Sequence, residues 1–307
     1  MKFSLTTDLT EGEIVDKLIE IAGAGFDSVE LNISDLELSL QQNQNIKKLC
    51  EDINLAICLL KCSEKFYGLI ETDKNQSLNY LQKNLEVTQE IGANTLALSI
   101  SRLKDHFKSM EGLCDYLNEA SNYAGKIGLR IAFQDAPWTP ILSNGPTVID
   151  LIKKISCANL GFIINSSQCL ADGTQAARLR DIPKNKIFLA QLSDSARFSN
   201  RTDGTWTTSR LLPGEGVLNL ESFVKILSRI GYKGPWSISN PYWFNLKPRK
   251  NFSQDAFRSL VSLLDEVAKS EVNISKPLQD LPSKVQVTGF EFIEFSVDKK
   301  THKEIKN

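Results

Sequence analysis

Gly23–Leu31 reads GAGFDSVEL, a glycine-marked passage from one hydrophobic period to another. Ahead of it, Glu11–Gly23 (EGEIVDKLIEIAG) places Ile14, Leu18, Ile19 and Ile21/Ala22 at helical spacing, the pattern of an amphipathic helix. Gly25 stands where a glycine C-cap would end that helix. Thr10 is expected to cap its start, with Glu13 three residues later completing a capping box. Ser28–Leu31 (SVEL) reads as a short strand, and Lys2–Thr6 (KFSLT) as the strand before the helix. The passage is therefore the joint of a β–α–β unit.

The same alternation runs outward along the chain. Ala56–Leu60 (AICLL), Thr95–Ile100 (TLALSI), Arg130–Gln134 (RIAFQ), Leu160–Asn165 (LGFIIN), Ile187–Gln191 (IFLAQ) and Trp236–Ser239 (WSIS) read as strands. Between or after them, Gln76–Gly92, Met110–Gly128, Pro146–Ile155, Leu220–Gly231 and Asp255–Ser270 read as helices. Strict alternation argues a parallel sheet. Strands that are apolar throughout, such as AICLL and LGFII, fit burial on both faces. About eight units in succession predict an α/β fold closed as a (β/α)8 barrel. No GxGxxG follows the first strand, which argues against a dinucleotide-binding sheet.

Composition sets further bounds. The 307 residues carry 36 Lys and Arg against 37 Asp and Glu, so no basic footprint points to nucleic acid. No signal-peptide core and no membrane-length apolar run occur, and a cytoplasmic protein is expected. The six cysteines are scattered and read as buried reduced thiols. Only His106 and His302 are present, a count that argues against both a histidine-rich metal site and a Ser-His-Asp triad. In such a barrel, chemistry gathers at the C-terminal strand ends. Those ends hold Glu30, Lys61, Ser99–Arg102, Gln134, Asn165, Gln191 and Ser239.

GAGFDSVEL resembles the opening unit of the sugar phosphate isomerase/epimerase superfamily of TIM barrels, the xylose-isomerase-like group. LGFIINSSQCLADG (160–173), DIPKNKIFLAQLSDS (181–195), RLLPGEGVLNLESF (210–223) and GYKGPWSIS (231–239) resemble its 3-dehydroshikimate dehydratase branch. The similarity extends over roughly residues 1–270. It implies dehydration of 3-dehydroshikimate to protocatechuate with a divalent metal, Mg, Mn or Co, acting as Lewis acid. The implied ligands are Glu, Asp, Gln and Glu, with a His three residues after the Asp.

This chain departs from that pattern. The implied ligand positions fall on Gln134 in IAFQDAPW, Asn165 in INSSQ, Gln191 in LAQLSD and Ser239 in WSISNP, and the implied His falls on Gln168. Three carboxylates are thus replaced by neutral groups. Hard divalent ions are held largely by carboxylate oxygen, so metal binding is expected to be weak or absent. Arg210 is expected to grip a substrate carboxylate and Trp138 to form a pocket wall; Glu30 reads equally as a contact to substrate or to Lys61, and Asp194 equally as a contact to Gln191 or a ligand hydroxyl or as a loop cap. An arginine of the branch is replaced by Glu64, which puts the original substrate in question. The implied ligand is a small hydroxy-acid or sugar-like molecule, and a homo-oligomer is compatible with the sequence.

Three functions remain open at this stage. One is a dehydratase-like lyase scaffold with impaired metal chemistry. Another is a non-catalytic barrel binding a shikimate-like acid or a partner protein. The third is a metal-independent isomerase or epimerase, which needs Glu30 to converge with one of Asp135, Asp172 or Asp194. The barrel is expected over residues 1–271, followed by a linker over 272–288. Residues 289–307, with the alternating GFEFIEFSVD, resemble the first strand of a 4-hydroxyphenylpyruvate dioxygenase-like domain.

Overall fold

The computed structural model describes residues 2–41, 45–62, 74–99, 109–134, 151, 154–155, 157–170, 176–196, 210–238 and 251–270. Eight of its strands close a barrel: β1 (Phe3–Thr6), β2 (Ser28–Asn32), β3 (Ala56–Lys61), β4 (Thr95–Leu98), β5 (Arg130–Gln134), β6 (Leu160–Asn165), β7 (Ile187–Leu192) and β10 (Trp236–Ile238). Every neighbouring pair is parallel, and β1 lies between β2 and β10 to complete the ring. Two short strands, β8 (Asp194–Ser195) and β9 (Arg210–Leu211), pair antiparallel beyond the end of β7.

Helices follow the strands as the periodicity predicts: α1 (Ile14–Gly23), α4 (Lys74–Glu90), α5 (Met110–Lys126), α7 (Leu220–Arg229) and α8 (Phe252–Ser270). Three helices were not anticipated. They are α2 (Ile33–Gln41), α3 (Ile46–Asp52) and α6 (Ser166–Leu170). The start of α1 also differs from expectation. Its N-cap is Glu13 with no side-chain cap bond, and the Thr10 hydroxyl donates to the Thr7 carbonyl instead. A one-turn 3-10 helix at Thr7–Leu9 turns Thr10 back toward that carbonyl, so no capping box forms. The exit agrees with expectation: Gly25 has φ +106°, the left-handed region that glycine enters without penalty.

Alternation along the strands divides the apolar residues into two sets. Val29, Leu31, Leu60, Leu96, Leu98, Ile131, Phe133, Phe162, Ile164, Ala190 and Leu192 join the helices in one large core. Leu59, Ala97, Ala132, Ile163 and Leu189 form a separate cluster inside the barrel, contributed by five consecutive strands. The other side of the interior is polar: Ser4, Ser28, Glu30, Gln191 and Ser237 are all fully buried. A register shift in the β6–β7 pairing sets Phe188 against Gly161, where a Cβ would collide with the ring. Arg130 lies over that ring at 4.6 Å.

The last turn of the barrel is pinned by Tyr232. Its hydroxyl donates to the Pro235 carbonyl at 2.6 Å and accepts from the Ala190 N–H at 2.8 Å. Its ring meets Trp236 edge-on, with centroids 5.2 Å apart. Among the described residues, no helix is long and apolar enough to cross a membrane. The expected linker and dioxygenase-like strand lie outside the described residues, as does most of the helix expected at Pro146–Ile155.

Candidate functional site

The C-terminal strand ends carry two hydrogen-bonded groups. The first is centred on Gln191 of β7. Its Nε2 donates to Glu30 Oε2 at 2.8 Å, and its Oε1 accepts from Asn165 Nδ2 at 3.4 Å. The other Glu30 oxygen accepts from the Ser237 hydroxyl. Asn165 Oδ1 accepts from the Ser167 N–H at 3.1 Å, the Ser167 hydroxyl at 2.6 Å, the Gln168 N–H at 3.4 Å and the Ser193 hydroxyl at 3.1 Å. Backbone N–H groups can only donate, so they fix which end of the amide faces them. Asn165 thereby caps the start of α6, and Gln168 sits buried on that turn.

The second group is centred on Lys61 at the end of β3. Its Nζ donates to Asp8 Oδ2 at 2.5 Å and to Thr6 Oγ1 at 3.3 Å. Asp8 Oδ1 accepts from Asn32 Nδ2 at 2.8 Å. The Lys61 side chain is 11% exposed and that of Asp8 is 29% exposed, so this pair borders the open mouth.

Electrostatics separate the two carboxylates. Burial pushes the Glu30 carboxyl above the ordinary range, and Lys61, Ser237 and Gln191 only partly oppose it. Burial also pulls Asp8 upward, but the Lys61 charge and the bonds from Lys61, Asn32 and Thr6 outweigh it and hold Asp8 low. Beneath them, burial raises the Cys58 thiol to about 12.

Asp194 takes the loop-cap alternative of its two expected roles. Its Oδ1 accepts from the N–H groups of Ser195 and Leu218, and its Oδ2 from those of Gly214 and Gly216. The carboxylate is 1% exposed and holds the Pro213–Gly216 turn. A Cβ at Gly216 would collide with the Ser195 carbonyl and with Asp194, so that turn requires glycine there.

Gln134 ends β5 at 8% exposed, and among the described residues its side-chain amide has no hydrogen-bond partner. The Arg210 backbone pairs with Ser195, while its side chain lies outside what is described. Trp138, Ser239, Asp135 and Asp172 also lie outside the described residues. The sequence reading missed Asp8, Asn32, Ser193 and Ser237. Asp8 follows the end of β1 by two residues, so the strand-end rule applied to β1 would have found it.

The described residues do not fit a hard divalent ion. Gln134, Asn165 and Gln191 offer only neutral amide oxygens, and the last two oxygens already accept hydrogen bonds. Glu30 is engaged by two donors, and a lysine ammonium occupies the same mouth. Among the described residues, no three His, Cys, Asp or Glu side chains cluster.

A profile of the xylose isomerase-like TIM barrels matches residues 18–262. The chain belongs to that family. Two curated relatives of this barrel family are both named 3-dehydroshikimate dehydratase. The Pseudomonas putida protein is 27% identical over 97% of this chain and 48% of its own length. The Pseudomonas aeruginosa protein is 28% identical over the same shares. The chain thus spans about half the length of these relatives. Among solved structures, a xylose isomerase-like TIM barrel/4-hydroxyphenylpyruvate dioxygenase fusion protein superposes with a TM-score of 0.81. It is 27% identical, and the match spans 100% of this chain and 50% of that one.

Proposed function

We propose that this chain is a 3-dehydroshikimate dehydratase-like barrel in which metal-dependent dehydration is impaired or lost, while the mouth still takes a hydroxylated cyclic ketone or acid. The observation that carries the reading is the double engagement of Gln191. Its amide spans Glu30 and Asn165, so a ligand-type oxygen is committed to an internal bond. Converting Glu and Asp ligands to Gln and Asn removes charge while keeping shape. A divalent ion then has nothing to offset its dehydration. The names of the two Pseudomonas relatives support the substrate class. The polar rim of Thr6, Asn32, Ser99 and Gln134 supports a ligand rich in hydroxyl groups.

The test measures protocatechuate from 3-dehydroshikimate with Mg2+, Mn2+ or Co2+, for the native chain and for the combined Gln134→Glu, Asn165→Asp and Ser239→Glu variant. The native chain is expected to show no metal-stimulated product. The variant is expected to gain a metal-dependent rise in melting temperature. Turnover by the native chain that chelation abolishes would overturn the reading.

A further inference from the structure

We infer that Lys61 and Asp8 form a metal-independent enolising pair, which exchanges the hydrogen on the carbon beside the carbonyl of a hydroxyketone bound in the barrel mouth. The inference rests on the proposed ligand class but not on dehydration.

Four features of the geometry carry it. First, Lys61 ends β3 and Asp8 follows β1, so both stand at the face where barrels of this kind place chemistry. Second, Asp8 and Thr6 help fix the position of the Lys61 ammonium. A cation fixed in a largely buried position suits an oxygen that gains negative charge. Third, Asp8 is held from its other oxygen by Asn32, and Asn32 is itself fixed by the N–H and hydroxyl of Ser34. Fourth, both side chains stay partly accessible, in contrast to Glu30 and Asp194, which are buried and fully engaged.

The pair is self-arming. In the resting state the Lys61 hydrogen bond and charge hold Asp8 as a weak base. A ketone oxygen that takes the Lys61 hydrogen bond removes one of the bonds that hold Asp8 low, while the Lys61 charge stays beside it. The proton affinity of Asp8 then moves upward, in the direction that burial already pulls it. A carboxylate strengthened by loss of that bond is a better general base.

The step balances without an oxidant. Asp8 takes the proton from the carbon beside the carbonyl. The C–H electron pair becomes the enolate C=C bond, and the carbonyl π pair moves to oxygen, where Lys61 stabilises it. Return of a proton or deuteron to that carbon regenerates the ketone and the Asp8 carboxylate. Glu30 lies close enough to Lys61 to feel its charge. It stays on Gln191 and Ser237 as part of the floor.

The experiment incubates the full chain in D2O with EDTA and either 3-dehydroshikimate or dihydroxyacetone, and follows loss of the proton signal by NMR. Exchange above the protein-free blank is expected. It should fall by about 100-fold or more in Lys61→Met and in the near-isosteric Asp8→Asn, in line with general acid–base contributions. Circular dichroism confirms that each variant is folded. If Lys61→Met does not fold, Asp8→Asn decides alone. A melting shift with 3-dehydroshikimate but no exchange of either probe overturns the enolising pair and leaves the proposed ligand class standing. Absence of both shift and exchange overturns both. Exchange that persists in a folded Asp8→Asn variant also overturns the pair.

Discussion

Replacing Asp194 with Asn should loosen one defined loop and lower the stability of the whole barrel. The carboxylate accepts from four backbone N–H groups, two on each oxygen. In Asn one oxygen can still serve Ser195 and Leu218, but the NH2 group then faces the N–H groups of Gly214 and Gly216. A buried donor left without an acceptor costs about 1–3 kcal/mol. Gly214 is exposed and Gly216 half-buried, so water recovers part of that loss. The expected net cost is about 2–4 kcal/mol, most of it from lost acceptors and donor–donor repulsion. For a domain of this size it corresponds to a fall in melting temperature of roughly 5–10 °C. Urea titration followed by circular dichroism gives the stability difference. Hydrogen exchange by mass spectrometry should show faster exchange confined first to residues 210–218. A change within about 0.5 kcal/mol, the range of ordinary surface substitutions, with unaltered exchange in that segment, would refute the assignment of Asp194 as the loop's anchor.

Three further outcomes are expected. Tyr232→Phe removes a hydroxyl that joins Ala190 to Pro235 and should cost about 1–3 kcal/mol in urea titration; an unchanged midpoint would refute the pinning role. Asp8 has a folded-state proton affinity below its ordinary value, so its contribution is fully present above the ordinary carboxylate range and is lost as pH falls through the lower folded value. The stability gap between the native chain and Asp8→Asn should therefore stay constant above about pH 5 and close in acid; a gap that widens in acid would reverse the sign. Burial raises the Cys58 and Cys62 thiols to about 12 each. At pH 8 their thiolate fraction is on the order of 10⁻⁴, so iodoacetamide should label both slowly in the native chain and fast in urea, and rapid native labelling would contradict their burial.

The barrel was legible because its strands are short apolar runs set between amphipathic helices. Leu160–Asn165 was bounded correctly from sequence, SVEL and AICLL each extend by one polar residue at the mouth, Asn32 and Lys61, and IFLAQ extends by Leu192. The helix over Ile33–Gln41 was missed because Leu36, Leu38 and Leu40 alternate with polar residues, a period of two that does not announce a helix. The failed capping box at Thr10 shows a local motif losing to a tighter local turn. The strand-end residues were identified by type and place, but their partners were not. Sequence spacing does not reveal that Glu30 meets Gln191 and Ser237 across the barrel. Nor does it reveal that Asp194 turns to four N–H groups instead of the mouth. Such pairings are set by barrel closure, which no local pattern encodes.

The Glu30 bridge also bears on the order of folding. Its carboxylate bonds to residues 161 and 207 positions further along the chain, so the bridge can form only once the first and last quarters have met. Until then a carboxylate faces the inside of an unfinished cylinder and favours keeping water there. Contacts of such separation follow the closure of long loops. Ser237→Ala should therefore speed unfolding while leaving the refolding rate nearly unchanged, the signature of an interaction absent from the rate-limiting ensemble. In kinetic terms Glu30 is a latch fastened last, and a ribosome still short of residue 237 would hold a barrel that has not yet dried.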